Sequence, residues 1–204
     1  LPPEFSTADN AYANYNIFSN GEFGSLITLM DFGGMKPPEE YDENFDYESA
    51  YANQKNSYIY CKYDQQGKLV SSTAVTGIDM YMDDYNNLNI ASITEYQGKT
   101  LFCLMDSTIL SLNSDGSLTE LYSPADEDKD RIYGSCLIYD SDGKLVLMVR
   151  GSSGEDMSEA TMLYYFDIDS SSVSDPIITI GGDGTIEIAG AITTGGGDYR
   201  LLVP

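Results

Sequence analysis

One phrase recurs along this chain and limits what it can fold into. An apolar-rich run enters a short polar turn ending in glycine, and a second apolar-rich run leaves it. The phrase reads Tyr139-Asp140-Ser141-Asp142-Gly143-Lys144-Leu145-Val146, Tyr63-Asp64-Gln65-Gln66-Gly67-Lys68-Leu69-Val70 and Leu112-Asn113-Ser114-Asp115-Gly116-Ser117-Leu118-Thr119. Looser copies are Phe166-Asp167-Ile168-Asp169-Ser170-Ser171 and Tyr96-Gln97-Gly98-Lys99-Thr100-Leu101. Each is a β-hairpin signature, in which Asp or Asn caps the turn and glycine supplies the positive-φ position. Hairpins this frequent, with short apolar runs and many helix breakers, predict an all-β chain.

The hairpins order the chain. Residues 1 to 8 form a proline-bearing extended arm suited to a sheet edge. Strands follow at 13–18 and 23–32. An insertion at 33–56 carries Gly33-Gly34, Pro37-Pro38 and a dense acidic-tyrosine run, with one helical turn expected around Tyr47 to Ala52. Strands resume at 57–61 and 68–75. After a loop at 76–88 come four strands, 89–96, 100–105, 109–113 and 117–122. After an acidic loop at 123–130 come 132–139, 144–150, 161–168 and 173–180, with 151–160 looping between the second and third. The remainder gives strands at 185–193 and 199–203 around Gly195-Gly196-Gly197.

These strands fall into groups of four. The turns between third and fourth strands, at Gly67, Gly116 and Ser171, lie 49 and 55 residues apart, a spacing suited to propeller repeats. A repeating four-stranded antiparallel unit reads as a β-propeller more readily than as a sandwich. The first strands, nearest the crowded axis of such a ring, are rich in small residues: Ile90-Ala91-Ser92-Ile93, Gly134-Ser135-Cys136-Leu137 and Ile188-Ala189-Gly190-Ala191. The expectation is a single propeller-like domain over 1–204. It has about three and a half blades, is therefore incomplete, and continues past Pro204 in a parent chain.

Composition narrows the chemistry. With 33 acidic and 10 basic residues the net charge is −23, which argues against nucleic acid and anionic lipid as partners. No apolar run reaches membrane-span length, so direct membrane insertion is not expected. Histidine is absent, which removes the commonest general base and zinc ligand. Cys61, Cys103 and Cys136 are widely spaced within apolar runs and read as buried strand residues. There is no Gly-x-Ser-x-Gly and no phosphate loop, and the adjacent carboxylates Asp83 and Asp84 are a poor basis for glycoside cleavage.

The Pro3-Glu4-Phe5 arm and the successive Asp-x-x-Gly-Lys-Leu-Val hairpins at 64–70 and 140–146 carry a resemblance. Taken together, they resemble the propeller-like N-terminal region of large solute-binding lipoproteins of ABC importers in gut Firmicutes. The resemblance implies an extracellular module, attached to the cell surface through a lipid-anchored parent, with a C-terminal solute-binding domain further along.

A propeller would sort the loops onto two faces. The tight glycine turns lie on one, and the long acidic loops 31–56, 76–88, 123–130 and 151–160 on the other. Tyr41, Tyr47, Tyr51, Tyr81 and Tyr85 interleave with Asp83, Asp84 and other acids on that second face, and are the candidate ligand contacts. Acids with aromatic rings suit a carbohydrate, a peptide or a cationic small molecule. Asp126, Asp128 and Asp130 have the alternate spacing of a calcium loop. Arg131 and Leu137 stand where that loop wants glycine and glutamate, and Asp140 to Gly143 reads as turn capping. The expected function is a non-catalytic binding or scaffold module of a solute-uptake lipoprotein. The alternatives are a stand-alone glycan- or peptide-binding propeller and, less favoured, a propeller glycosidase or lyase.

Overall fold

A computed structural model describes residues 10–17, 21–82, 88–140, 142–153, 158–182 and 186–188. The chain is mostly antiparallel β, built as three open sheets of sequence-adjacent strands. No helix among the described residues is long and apolar enough to cross a membrane. Contacts divide the chain into two compact units, Leu1–Asn87 with Ser114–Leu118, and Leu88–Asn113 with Thr119–Pro204. The arm at 1–8 and the strand at 199–203 lie outside the described residues.

The first unit holds the sheet β1 (Asn10–Ile17), β2 (Phe23–Asp31), β3 (Lys55–Tyr63) and β4 (Leu69–Val75), paired in that order. Alternation puts Ile27, Leu29, Ile59 and Cys61 on one face as a small core. Phe23 sits directly opposite Tyr63, and their rings stack at 4.7 Å, a cross-strand pair of the stabilising kind. The insertion forms the expected helical turn, α1 (Tyr47–Ala52), whose N-cap Asp46 accepts from the Ser49 N–H at 3.0 Å.

The second unit holds the second and third sheets. The second is β5 (Ile90–Tyr96), β6 (Lys99–Leu104), β7 (Ile109–Leu112) and β8 (Leu118–Tyr122). The third is built from β9 (Ile132–Tyr139), β10 (Leu145–Ser153), β11 (Ser158–Asp167), β12 (Ser172–Val173), β13 (Ile178–Gly181) and β14 (Ile186–Ile188). Its ladder runs β9-β10-β11-β13-β14, with β12 also paired to β11. The two sheets pack through Leu101, Cys103 and Ile109 on one side and Leu137, Leu145, Leu147, Val149, Phe166 and Ile168 on the other.

The first strands, β5 and β9, meet without forming a ladder. Ser92 Oγ accepts from the Leu137 N–H at 2.9 Å, Thr94 Oγ1 donates to Leu137 O, and Tyr139 OH donates to Glu95 O. Ser135 Oγ donates to Leu104 O at 2.6 Å. Small hydroxyl residues therefore serve these strands as backbone partners while letting them approach closely.

Four readings of the sequence are corrected. The strand expected at 173–180 is two strands, because Asp175 and Pro176 interrupt the pairing, Pro176 having no N–H to give, while Ser174 and Ile177 on either side still donate to Tyr165 O and Leu163 O of β11. The loop expected at 151–160 is shorter, since β10 runs on to Ser153 and β11 starts at Ser158. The acidic loop contains a short helix, α2 (Asp126–Lys129). Residues 186–188 pair with β13, Ile178 opposite Ile188, and so add to the third sheet instead of opening a fourth unit.

Two copies of the recurrent turn share one geometry. Asp64 N–H donates to Lys68 O at 2.9 Å while Asp64 Oδ1 accepts from the Gln66 and Lys68 N–H groups. Asp140 repeats the arrangement with Lys144 and Asp142. At Asp115 and Asp167 the carboxyl is held below its usual range, chiefly by the hydroxyls of Ser117 and Ser170. Gly116 is bound more tightly than its counterparts. At φ +86, a Cβ there would stand 2.0 Å from Ala74 O, whereas none would meet an obstacle at Gly67. Gly116→Ala is therefore expected to lower stability by roughly 2–3 kcal/mol and Gly67→Ala by about 1 kcal/mol. Urea midpoints of the two variants measure the difference.

Candidate functional site

The residues singled out in the sequence are dispersed. Tyr41 is 84% exposed and stacks on Tyr47 at 5.5 Å. Tyr47 also meets Phe45 edge-on, and its hydroxyl accepts from the Asp42 N–H. Tyr51 packs edge-on against Phe32. Tyr81 is half-buried in the 3-10 turn Asp79–Tyr81. Thus Tyr41 and Tyr47 come together, and the internal contacts of Tyr47 and Tyr51 fix the inserted loop. Asp83, Asp84 and Tyr85 lie outside the described residues.

Asp126 and Asp128 stand in the first turn of α2, and Asp130 caps its end. Winding these residues into a helix separates side chains that an extended loop would point the same way. Lys129 Nζ lies 3.4 Å from Asp126 and 4.0 Å from Asp106. Among the described residues, no group of three or more His, Cys, Asp or Glu side chains is placed to hold a metal ion.

The second unit does contain a concave site. A cleft of about 300 Å³ is lined by Ser107 of the β6–β7 turn, Tyr122 at the end of β8, Asp128 and Arg131 around α2, and Met162 and Tyr164 of β11. Its apolar surface includes Ile132, Leu147, Val149 and Val173. Residues of both sheets and of the α2 connection between them thus line one concavity.

The polar groups of this cleft are mostly neutral hydroxyls. Tyr164 OH contacts Met162 Sδ at 3.1 Å, a weak acceptor. Tyr122 packs against Phe166 with ring centroids 6.3 Å apart. Burial pushes the Tyr122 phenol above its usual value, with the Asp128 charge adding to the shift. Burial likewise raises Tyr164, followed by Tyr122 and then Asp128. Arg131 is tied to the site through its backbone, donating to Asp128 O and accepting from the Ser152 N–H.

Sequence reasoning singled out Asp128 alone of these residues, and for a different role. Tyr122 and Tyr164 sit inside strands, where alternation marks them only as core or surface. The cleft exists because strands some forty residues apart converge, a juxtaposition that spacing does not encode. The cysteines are no part of it. Burial raises the Cys103 thiol to about 12, which leaves no thiolate near neutral pH.

No protein-family model matches the chain, and no characterised protein sequence matches it.

The raised phenols have a pH consequence. Folded Tyr122 and Tyr164 hold their protons where an unfolded tyrosine has begun to lose its own, above pH ~10. Their contribution is complete below that value and is lost as pH rises through the folded pKa values. Stability should therefore fall less steeply above pH ~10 in the Tyr122→Phe/Tyr164→Phe variant than in the parent. Denaturant midpoints across the alkaline range would test this.

Proposed function

We propose that this chain is a non-catalytic binding module of propeller type, and that its ligand seat is the tyrosine-lined cleft of the second unit. The observation that carries the binding assignment is the convergence of Tyr122, Tyr164, Asp128, Arg131 and Ser107 on one concavity with an aliphatic floor. Ligand sites commonly combine an apolar surface with a few placed polar groups in this way.

Two features support the propeller part. The first two sheets follow a four-strand meander, and the third begins with one before adding β14. In addition, β5 and β9, the first strands of consecutive sheets, approach each other through Ser92 and Thr94, which both bond the Leu137 backbone. A non-catalytic role is favoured because the cleft carries one carboxylate, Asp128, where glycoside cleavage uses two. The hairpin motifs extend the proposal to a biological setting, an extracellular module of a solute-uptake lipoprotein carrying a further solute-binding domain.

Thermal-shift measurements against neutral oligosaccharides, short peptides, polyamines and calcium test the binding role. One class is expected to raise the melting temperature by about 5–10 °C at a hundredfold excess over Kd, and Tyr164→Ala should abolish the shift. No shift with any of them would refute a ligand role for the cleft.

A further inference from the structure

We infer that Ser107 is a ligand-contacting residue and that the cleft takes a neutral sugar ring; this rests on the binding-module reading above. Three hairpin turns share one backbone geometry. Asp64 N–H donates to Lys68 O and Gly67 N–H to Asp64 O, at 2.9 Å each; Asp140, Gly143 and Lys144 repeat this at 3.0 and 3.1 Å. Leu104, Ser107 and Thr108 repeat it again, at 2.8 and 3.0 Å. The residue before the last has φ +77 at Gly67, +76 at Gly143 and +72 at Ser107. Two of the turns use glycine, the residue that this conformation favours, and one uses serine, which is strained there.

Ser107 carries a second unfavourable feature. It is 1% exposed, and its hydroxyl has no hydrogen-bond partner among the described residues. A buried hydroxyl without a partner is destabilising in its own right. Glycine would remove both the strain and the orphaned group. The turn is nevertheless firmly held. Asp106 accepts from the Thr108 N–H and hydroxyl at 2.9 and 3.0 Å, and the Thr108 and Ser123 hydroxyls meet at 3.4 Å. A strained, unsatisfied side chain fixed in the wall of a cleft is the kind of local conflict expected where binding sets the choice of residue.

The chemistry of the cleft selects the ligand class. Four hydroxyl side chains line the cleft, Ser107, Tyr122, Ser152 and Tyr164, and a hydroxyl can both donate and accept. That is the complement of a polyol. The tyrosine rings and aliphatic floor suit the C–H face of a pyranose. The net charge of −23 opposes an anionic ligand, and Arg131 in the same wall as Asp128 opposes a cationic one.

Calorimetry on the full chain, with Ser107→Gly, Ser107→Ala and Tyr164→Ala variants, tests the inference. The probes are maltose, cellobiose and lactose, with spermidine and glycylglycine as contrasts. A neutral disaccharide should bind the parent chain and lose at least tenfold in affinity in Ser107→Gly, while the melting temperature of that variant equals or exceeds the parent value. Ser107→Ala keeps the strained backbone and removes only the hydroxyl, so it should show the same loss of affinity even if the glycine variant folds poorly. Sugar binding abolished by Tyr164→Ala but unchanged in both Ser107 variants would overturn the role of Ser107 and leave the binding module standing. Spermidine or glycylglycine binding in place of sugars would overturn the sugar assignment. Failure of every probe to bind the parent chain would overturn the inference and the underlying reading together.

Discussion

The second unit depends on how closely two strands can approach without sharing a ladder. At most sheet-to-sheet contacts apolar side chains hold the backbones well apart. Between β5 and β9, short hydroxyl side chains take that place and also supply hydrogen bonds, Ser92 Oγ accepting from the Leu137 N–H and Thr94 Oγ1 donating to Leu137 O. Each such bond contributes about 0.5–1.5 kcal/mol net, and losing one partner inside the seam costs more than the bond itself contributes. The apolar cluster of Leu101, Ile109, Leu147 and Phe166 lies behind this seam. The cleft is lined by residues of both sheets together with Asp128 of α2.

The same economy of small residues governs the turns. The carboxylates of Asp64 and Asp140 satisfy two backbone N–H groups apiece and leave the loops short. Where a turn packs against another segment, as Gly116 does on Ala74, side-chain volume is excluded altogether. Ser107 departs from this rule in a turn of the same geometry, and it does so at the cleft.

Local pattern made the strands legible in the sequence, together with the helical turn at Tyr47–Ala52 and the small-residue character of the first strands. Alternation, turn chemistry and capping are all properties of neighbours in the chain. The errors fall where tertiary pairing overrides them. Pro176 interrupts what read as one strand, and the segment at 186–188 joins β13 because a free edge was available beside it. The cleft was not legible. Tyr122 and Tyr164 look like ordinary strand tyrosines until the sheets bring them together, and the acidic-tyrosine loop that stood out in the sequence spends Tyr47 and Tyr51 on its own packing.

The meander topology has a kinetic consequence. Nearly every ladder joins strands that follow one another in the chain, and the exception, β13 on β11, skips only the two-residue β12. Loop closure is entropically inexpensive for such neighbours, and chains dominated by short-range contacts reach their native state faster than those that must first find distant partners. Most of each sheet can zip between neighbouring strands, leaving the docking of second on third through β5 and β9, and the pairing of Thr76 with the Gly116–Ser117 turn, as non-local steps. A sheet that assembles alone can also be copied in tandem without disturbing its neighbours, and the repeated hairpin phrase is the mark such copying would leave.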